Sequence, residues 1–409
     1  MSWSSSLVNT KRETWVLPER QSIEQRIRAS LEATPHRIPV LVGGCGTGRS
    51  TLLQRTHVNL GQNVCQYINA ESVALTPEGL LNAVTDGSDS SFQGSEPYPS
   101  NSRHSPRSSV NVLLDFFKHE HLITGLPPTF LIDEVLDIRT LESFPGLRGV
   151  MREVFEALAE SPNRFVLSSR FVNRTIRNLK DLSDRFEVIQ IPPLSATETT
   201  ATLELHGVGR NPDERNDIGR MTHALTDGRA AYVEILASSL AATNGASGGD
   251  PVSALTGQMV TGTNLWWRCR FSYELRLHRA RGYGSLKGIL AILAHEEPQT
   301  LTQISKKLGR TPGSTKDYLS WLEEVDLVQA RQKRYSYTDP ILRLWVRLHA
   351  QATPPTETDL AREVQEYAVQ RLPFLEESNA TVDLARPAPS EPEFVQSTAR
   401  EVLDLIEYD

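Results

Sequence analysis

The 409-residue chain is short of several features, and each shortage narrows its reading. It has three cysteines, Cys45, Cys65 and Cys269, without paired or metal-like spacing. That excludes a disulfide-stapled scaffold and a cysteine zinc site, and it fits a reduced, cytoplasmic setting. No run of 18 apolar residues occurs, and the opening MSWSSSLVNTKRETW has no apolar core of a signal peptide. Neither membrane spanning nor secretion is expected. A basic excess is also missing. The chain has 43 Lys and Arg against 50 Asp and Glu, for a net charge of −7. This argues against indiscriminate nucleic-acid binding by the whole chain and leaves room for one basic module. Asp86–Ser108 has almost no apolar content and reads as a mobile insertion. The remaining composition, 39% hydrophobic and 23% charged, is that of a globular chain. Its length predicts two to three domains.

What is present begins with GGCGTGRST, Gly43 to Thr51, directly after the apolar run Ile38–Val42. This is the G-x-x-x-x-G-K-[ST] phosphate loop between a strand and a helix, except that Arg49 stands at the lysine position. Gly43, Gly44, Gly46 and Gly48 are expected to take positive φ. Backbone N–H groups from Gly43 through Cys45, Thr47 and Gly48 would then face phosphate oxygens, backed by the positive end of the next helix. Ser50 would offer its hydroxyl to Mg²⁺, and Thr51 would follow it in the helix beside the nucleotide. ATP and Mg²⁺ are therefore the expected ligands. Cys45, inside the loop, is either a small filler or an oxidisable thiol.

Downstream, short apolar runs alternate with amphipathic stretches. The predicted strands are Ile38–Val42, Val64–Ile68, Thr129–Ile132, Phe165–Ser168 and Val188–Ile191. The predicted helices are Ser50–Val58, Pro77–Val84, Ser109–His119, Leu147–Leu158 and Thr175–Leu182. Such alternation implies an α/β fold with a parallel sheet covered on both faces. The third strand ends in Asp133-Glu134, 84 positions after Arg49. At a strand tip Asp133 would hold the Mg²⁺ shell, and Glu134 would orient and deprotonate the attacking water.

From Ser195 to Ala242 the pattern is helical, and Asn244–Pro251 reads as a linker. Beyond it come a basic, aromatic helix at Trp266–Arg281, a helix at Leu286–Leu293, a helix–turn–helix in TLTQISKKLGRTPGSTKDYLSWLEEV and a basic hairpin, RQKRYSY. That order is the order of a winged helix. Thr315 and Lys316 would lie at the groove-facing end of the recognition helix, with Lys333 and Arg334 meeting duplex DNA phosphates. The alternative is that the module serves protein interaction or dimerisation. From Pro354 the chain is acidic and proline-broken, with a helix expected at Glu357–Gln370.

Together these residues resemble the AAA+ superfamily of P-loop ATPases, over roughly residues 20–350. The similarity is greatest to the origin-recognition-like, archaeal-type and signal-transduction ATPases that append a winged helix. The resemblance implies that Ser169 and Arg170, in Ser168-Ser169-Arg170, sense the γ-phosphate. It implies that Arg185, in Asp184-Arg185-Phe186, is a trans-acting arginine finger in a homo-oligomer. It places Arg229, in Asp227-Gly228-Arg229, in a lid sensor position. Tyr337-Thr338-Asp339-Pro340-Ile341-Leu342-Arg343-Leu344-Trp345 is similar to the Y-x-x-x-D-P-x-x-R-x-W ending of archaeal-type ATPases. The implied layout is a nucleotide-binding core at 1–194, a helical lid at 195–245, a linker at 246–262, a connector and winged helix at 263–350, and an acidic tail at 351–409. The implied activity is ATP hydrolysis, coupled as a switch or loader to DNA or to a partner protein. Arg49 predicts slow hydrolysis, since arginine is larger and more rigid than the lysine it replaces. The alternative is a non-catalytic ATP-binding regulator whose winged helix binds protein.

Overall fold

The computed structural model describes residues 18–61, 64–85, 105–121, 127–243, 249–278, 282–350 and 353–372. Five parallel strands, β1 (Ile38–Val42), β2 (Cys65–Asn69), β3 (Thr129–Asp133), β4 (Arg164–Ser169) and β5 (Phe186–Gln190), lie in the order β2-β3-β4-β1-β5. Each predicted strand is present within two residues of its expected start. β4 separates β1 from β3, so the loop after β1 and the acidic tip of β3 flank the end of β4 on one edge of the sheet.

Helix α1 (Pro18–Glu32) precedes β1, and α2 (Arg49–Leu60) follows it. Between β2 and β3 lie α3 (Ala70–Val73), α4 (Pro77–Thr85) and α5 (Pro106–Lys118). A 3₁₀ helix (Val135–Ser143) and α6 (Val150–Glu160) join β3 to β4, and α7 (Val172–Leu179) joins β4 to β5. Of the insertion expected at 86–108, residues 86–104 lie outside the described residues; Ser105 already caps α5.

Alternation along the strands divides the core. Leu41, Leu131 and Val166 face α1 and α2, packing with Ile23, Ile27, Leu52 and Leu53. Val40, Val42, Phe130, Ile132, Phe165 and Leu167 face the other way, into a layer that includes Phe116, Phe117 and Phe155. Successive side chains on a strand point to opposite faces, so this parity extends to the polar residues at the strand tips.

The stretch expected to form a lid folds as α8 (Ala196–Leu205), α9 (Pro212–Thr226) and α10 (Ala230–Thr243). Ser195 and Glu198 form a capping box on α8, and Asn211 caps α9. The stretch 246–262 is not all linker: Pro251–Gln258 is a helix, α11, capped by Asp250 with Pro251 in its first turn. Leu255 and Met259 are fully buried, so the segment packs despite its glycine-rich approach.

The C-terminal part follows with α12 (Asn264–His278), α13 (Tyr283–His295), β6 (Gln299–Thr300), α14 (Leu301–Leu308), α15 (Pro312–Glu324), β7 (Val328–Arg331) and β8 (Arg334–Tyr337). The three short strands make an antiparallel sheet in the order β6-β8-β7. Gln332 and Lys333, both at positive φ, form the turn between β7 and β8. Helix α16 (Pro340–His349) is capped by Asp339, and α17 (Glu357–Arg371) buries Leu360, Val364 and Tyr367. The last residues of the acidic tail, 373–409, lie outside the described residues.

Candidate nucleotide site

The phosphate loop turns at Gly46 (φ 84°) and Gly48 (φ 92°), where L side chains are strained. Gly43 and Gly44 do not share that conformation, contrary to expectation; their need is for space. A Cβ on Gly43 would lie 2.7 Å from Thr47 Oγ1, and one on Gly44 would lie 3.1 Å from an Arg229 guanidinium nitrogen. Thr47 turns back into the loop and donates to Gly44 O at 3.0 Å. Ser50 is half-buried in the first turn of α2, whereas Thr51 is exposed.

Arg49 is buried and folds back across the loop. Its Nη1 donates to Gly43 O at 2.6 Å, and its Nη2 donates to Glu134 Oε1 at 2.8 Å. Its Nε is buried without a hydrogen-bond partner. Burial lowers the Arg49 pKa, opposed by the Glu134 carboxylate. Arg170 approaches the other oxygen of Glu134: its Nε and its backbone N–H each lie 3.0 Å from Oε2. Its Nη2 reaches Glu71 at 2.5 Å and Asp137 at 3.5 Å. Burial would depress the Arg170 pKa, but Glu134, Glu71 and Asp137 outweigh it and raise it. Glu134 is therefore held between two guanidiniums, on a backbone at φ 53°.

Asp133 points toward α2, as the parity of Leu131 requires. It accepts from Tyr67 OH at 2.7 Å and from the Ser168 hydroxyl. Ser168 Oγ also accepts the Glu134 N–H at 3.1 Å. The serine bonded to the acidic tip is thus Ser168 and not the expected Ser169. Ser169 has the parity of Leu167, and its Oγ accepts the Phe171 N–H at 3.2 Å.

Arg229 does not point into open space above the loop. Its Nη1 donates to Cys45 O at 2.9 Å, its Nη2 donates to Thr338 O at 2.7 Å, and Asp339 lies 3.6 Å away. Ala231 N donates to Gly46 O at 2.9 Å, and Tyr232 OH donates to Asp339 Oδ2 at 2.7 Å. The loop, the start of α10 and the C-terminal part are pinned at one point. Helix α12 reaches the same place. Burial would raise the Cys45 pKa, but Arg276, Arg268 and Arg49 with the Ser272 hydroxyl outweigh it and lower it. Arg276 Nη1 also donates to Asp326 O at 2.8 Å.

The candidate arginine finger, Arg185, is elsewhere. It lies at the start of β5, the opposite edge of the sheet from the loop. Its guanidinium donates to His36 O, Ala159 O and Ser161 O at 2.6–2.9 Å. There it ties backbone at the strand starts instead of standing free.

In the C-terminal part, Lys316, Lys333 and Arg334 are exposed. Thr315 is fully buried, and its Oγ1 donates to Thr311 O at 2.9 Å, so it cannot face a groove. The far end of α15 docks on the core: Glu324 pairs with Arg174 and Arg177, and Asp326 accepts the Val172 N–H at 2.7 Å, capping α7. A cavity of about 520 Å³ between α9, α16 and α17 is lined by no residue of the phosphate loop, and its charges pair internally, as in Arg343–Glu297. Among the described residues no cluster of three His, Cys, Asp or Glu could hold a metal, and no helix is long and apolar enough to cross a membrane.

No protein-family model matches the chain, and no curated protein matches it. In structure it is similar to a Walker-type ATPase of Pyrococcus abyssi, at 16% identity over 80% of this chain and 95% of that one, with a TM-score of 0.56. It also matches the Orc1 protein of Aeropyrum pernix in complex with DNA, at 14% identity over 91% and 95% of the two chains, with a TM-score of 0.41. RuvB of Thermotoga maritima matches at 14% identity over 78% and 91%, with a TM-score of 0.36. The likeness to the Pyrococcus protein shows a shared fold, an α/β fold with a parallel five-stranded sheet.

Proposed function

We propose that this chain binds ATP with Mg²⁺ at Gly43–Thr51 and hydrolyses it slowly, working as a nucleotide-dependent switch. The observation that supports this most is the placement of Arg49. An always-charged guanidinium, with one donor orphaned, lies buried at the phosphate loop against the carboxylate that catalysis would need. Such a group suits bidentate phosphate contact. Ser50 and Asp133 would hold Mg²⁺, completed by phosphate and water oxygens as that ion prefers. The ion would neutralise charge on the phosphates. Glu134 would orient the attacking water once Arg49 has left it. Ser168 and Tyr67 fix the Asp133 carboxylate. Arg170 fixes Glu134. Arg229 transmits the loop's state to the lid and the C-terminal part. Steady-state ATPase measurement tests the reading; no nucleotide binding at millimolar MgATP would refute it.

We read the C-terminal part as a winged helix. Exposed Lys316, Lys333 and Arg334 support duplex DNA as its partner. A salt-dependent mobility shift, weakened by Lys333→Glu with Arg334→Glu, tests it. The non-catalytic reading, with the winged helix as a protein-interaction module, is favoured by one observation. The end of α15 is already docked on the core through Glu324 and Asp326. Absence of a DNA shift at low salt decides for that reading.

A further inference from the structure

Every large aromatic residue that is strongly exposed among the described residues lies on α12 or at the start of α13. Trp267 is 40% exposed, Phe271 63% and Tyr283 42%. Trp267 and Phe271, one helical turn apart, stack at 5.7 Å between ring centres. The Arg270 guanidinium lies 5.4 Å from the Trp267 ring centre, and Arg268 is exposed on the adjoining stripe. Glu274 is the one acidic residue of α12, and it is engaged by Tyr283 OH at 2.8 Å and Lys287 at 3.4 Å. The result is a solvent-facing aromatic pair edged by two arginines, a composition typical of the buried centre of an interface.

The chain holds a matching segment. Residues 373–409 contain nine acidic and two basic residues, a net of −7, which equals the net charge of the whole chain. Its last nine residues, EVLDLIEYD, set Val402, Leu403, Leu405 and Ile406 among Glu401, Asp404, Glu407 and Asp409. Apolar side chains would cover the Trp267–Phe271 pair while the carboxylates met Arg268 and Arg270. A nucleic-acid base would compete for the same pair, in which Trp267 already has Phe271 stacked on it and Arg270 over its ring. We propose that residues 401–409 dock on the Trp267–Phe271 face of α12 of the same chain. Since α12 also lies beside Cys45, this places the tail on the helix that flanks the phosphate loop. The inference does not depend on nucleotide binding.

Photo-crosslinking in the full chain tests it. A benzoylphenylalanine replaces Leu405, and the crosslinked peptides are identified by mass spectrometry. The expected product is an intrachain link to residues 264–275. Its yield should fall about tenfold in Trp267→Ala with Phe271→Ala, and also in Arg270→Glu, an exposed change that leaves the core intact. High salt should weaken it as well. Links to another surface, links found only between two chains, or a yield indifferent to these substitutions would each overturn the proposal. So would tight oligo-dT binding that requires Trp267 and leaves the tail's position unchanged.

Discussion

Arg49 and Glu134 are joined at 2.8 Å, so the basic residue of the phosphate loop and the acidic residue of the strand tip neutralise one another. Both side chains are only 7% exposed. A carboxylate stands against the guanidinium where a phosphate would be expected to stand. In the proposed reading a triphosphate would replace Glu134 as the anionic partner of Arg49, leaving Glu134 held by Arg170 alone.

Glu134→Gln tests that exchange from the acidic side. The amide keeps the shape and loses the charge. The nucleotide-free protein should lose about 1–3 kcal/mol, because Arg49 is left buried without a counter-charge. MgATP should bind about tenfold more tightly, since no internal anion competes. Calorimetric titration with thermal melts measures both; turnover should vanish. Unchanged affinity together with retained turnover would remove Glu134 from both roles.

Arg229 joins Cys45 O to Thr338 O. Arg229→Ala should cost about 2–4 kcal/mol by leaving two carbonyls and Asp339 short of a donor. Its particular signature is mobility of the C-terminal part. Hydrogen exchange should rise in Thr338 and its neighbours and in the phosphate loop together. A rise in one without the other would show that Arg229 does not couple them.

Burial pushes the Asp326 carboxyl up to about 6, from an ordinary 3.8, against the opposing pull of Arg276 and the Val172 N–H. A raised acid favours the folded state when protonated. Its contribution is therefore full below pH 3.8 and is lost as pH rises through about 6. The size is about 2–3 kcal/mol between those limits. Asp326→Asn cannot titrate, so its stability relative to the parent should rise across that window. Urea denaturation at a series of pH values checks this, and a flat difference contradicts it.

Much of this architecture is legible in the sequence, because strand alternation and the phosphate loop are local signals. The five strands follow from runs such as Ile38–Val42, in which every residue is buried. Where structure and sequence expectation differ, the cause is physical. Ser168 and Ser169 differ only in parity, and the assignment needs the face of the sheet on which α2 packs, visible once Leu131 and Val166 are seen to face it. Thr315 stands four residues before buried Leu319, which places it on the inner face of α15. Helix α1, absent from the predicted elements, carries Ile23, Ile27 and Leu31 at four-residue intervals on its buried face. Arg185 and Arg229 are beyond local reading, since their partners lie 24 to 184 positions away. The Arg49–Glu134 pair, 85 positions apart, is of the same kind.

The central claim is that Arg49, held on Glu134, limits hydrolysis without preventing nucleotide binding. Lysine at that position is a compact ammonium that cannot hold Gly43 O and Glu134 together in the same planar fork. The direct measurement is single-turnover ATP hydrolysis with nucleotide affinity, in the parent and in Arg49→Lys. The account predicts a slow parent, a rate about tenfold or more higher in Arg49→Lys, and similar affinity in both. A brisk parent rate that is lost in Arg49→Lys would contradict it.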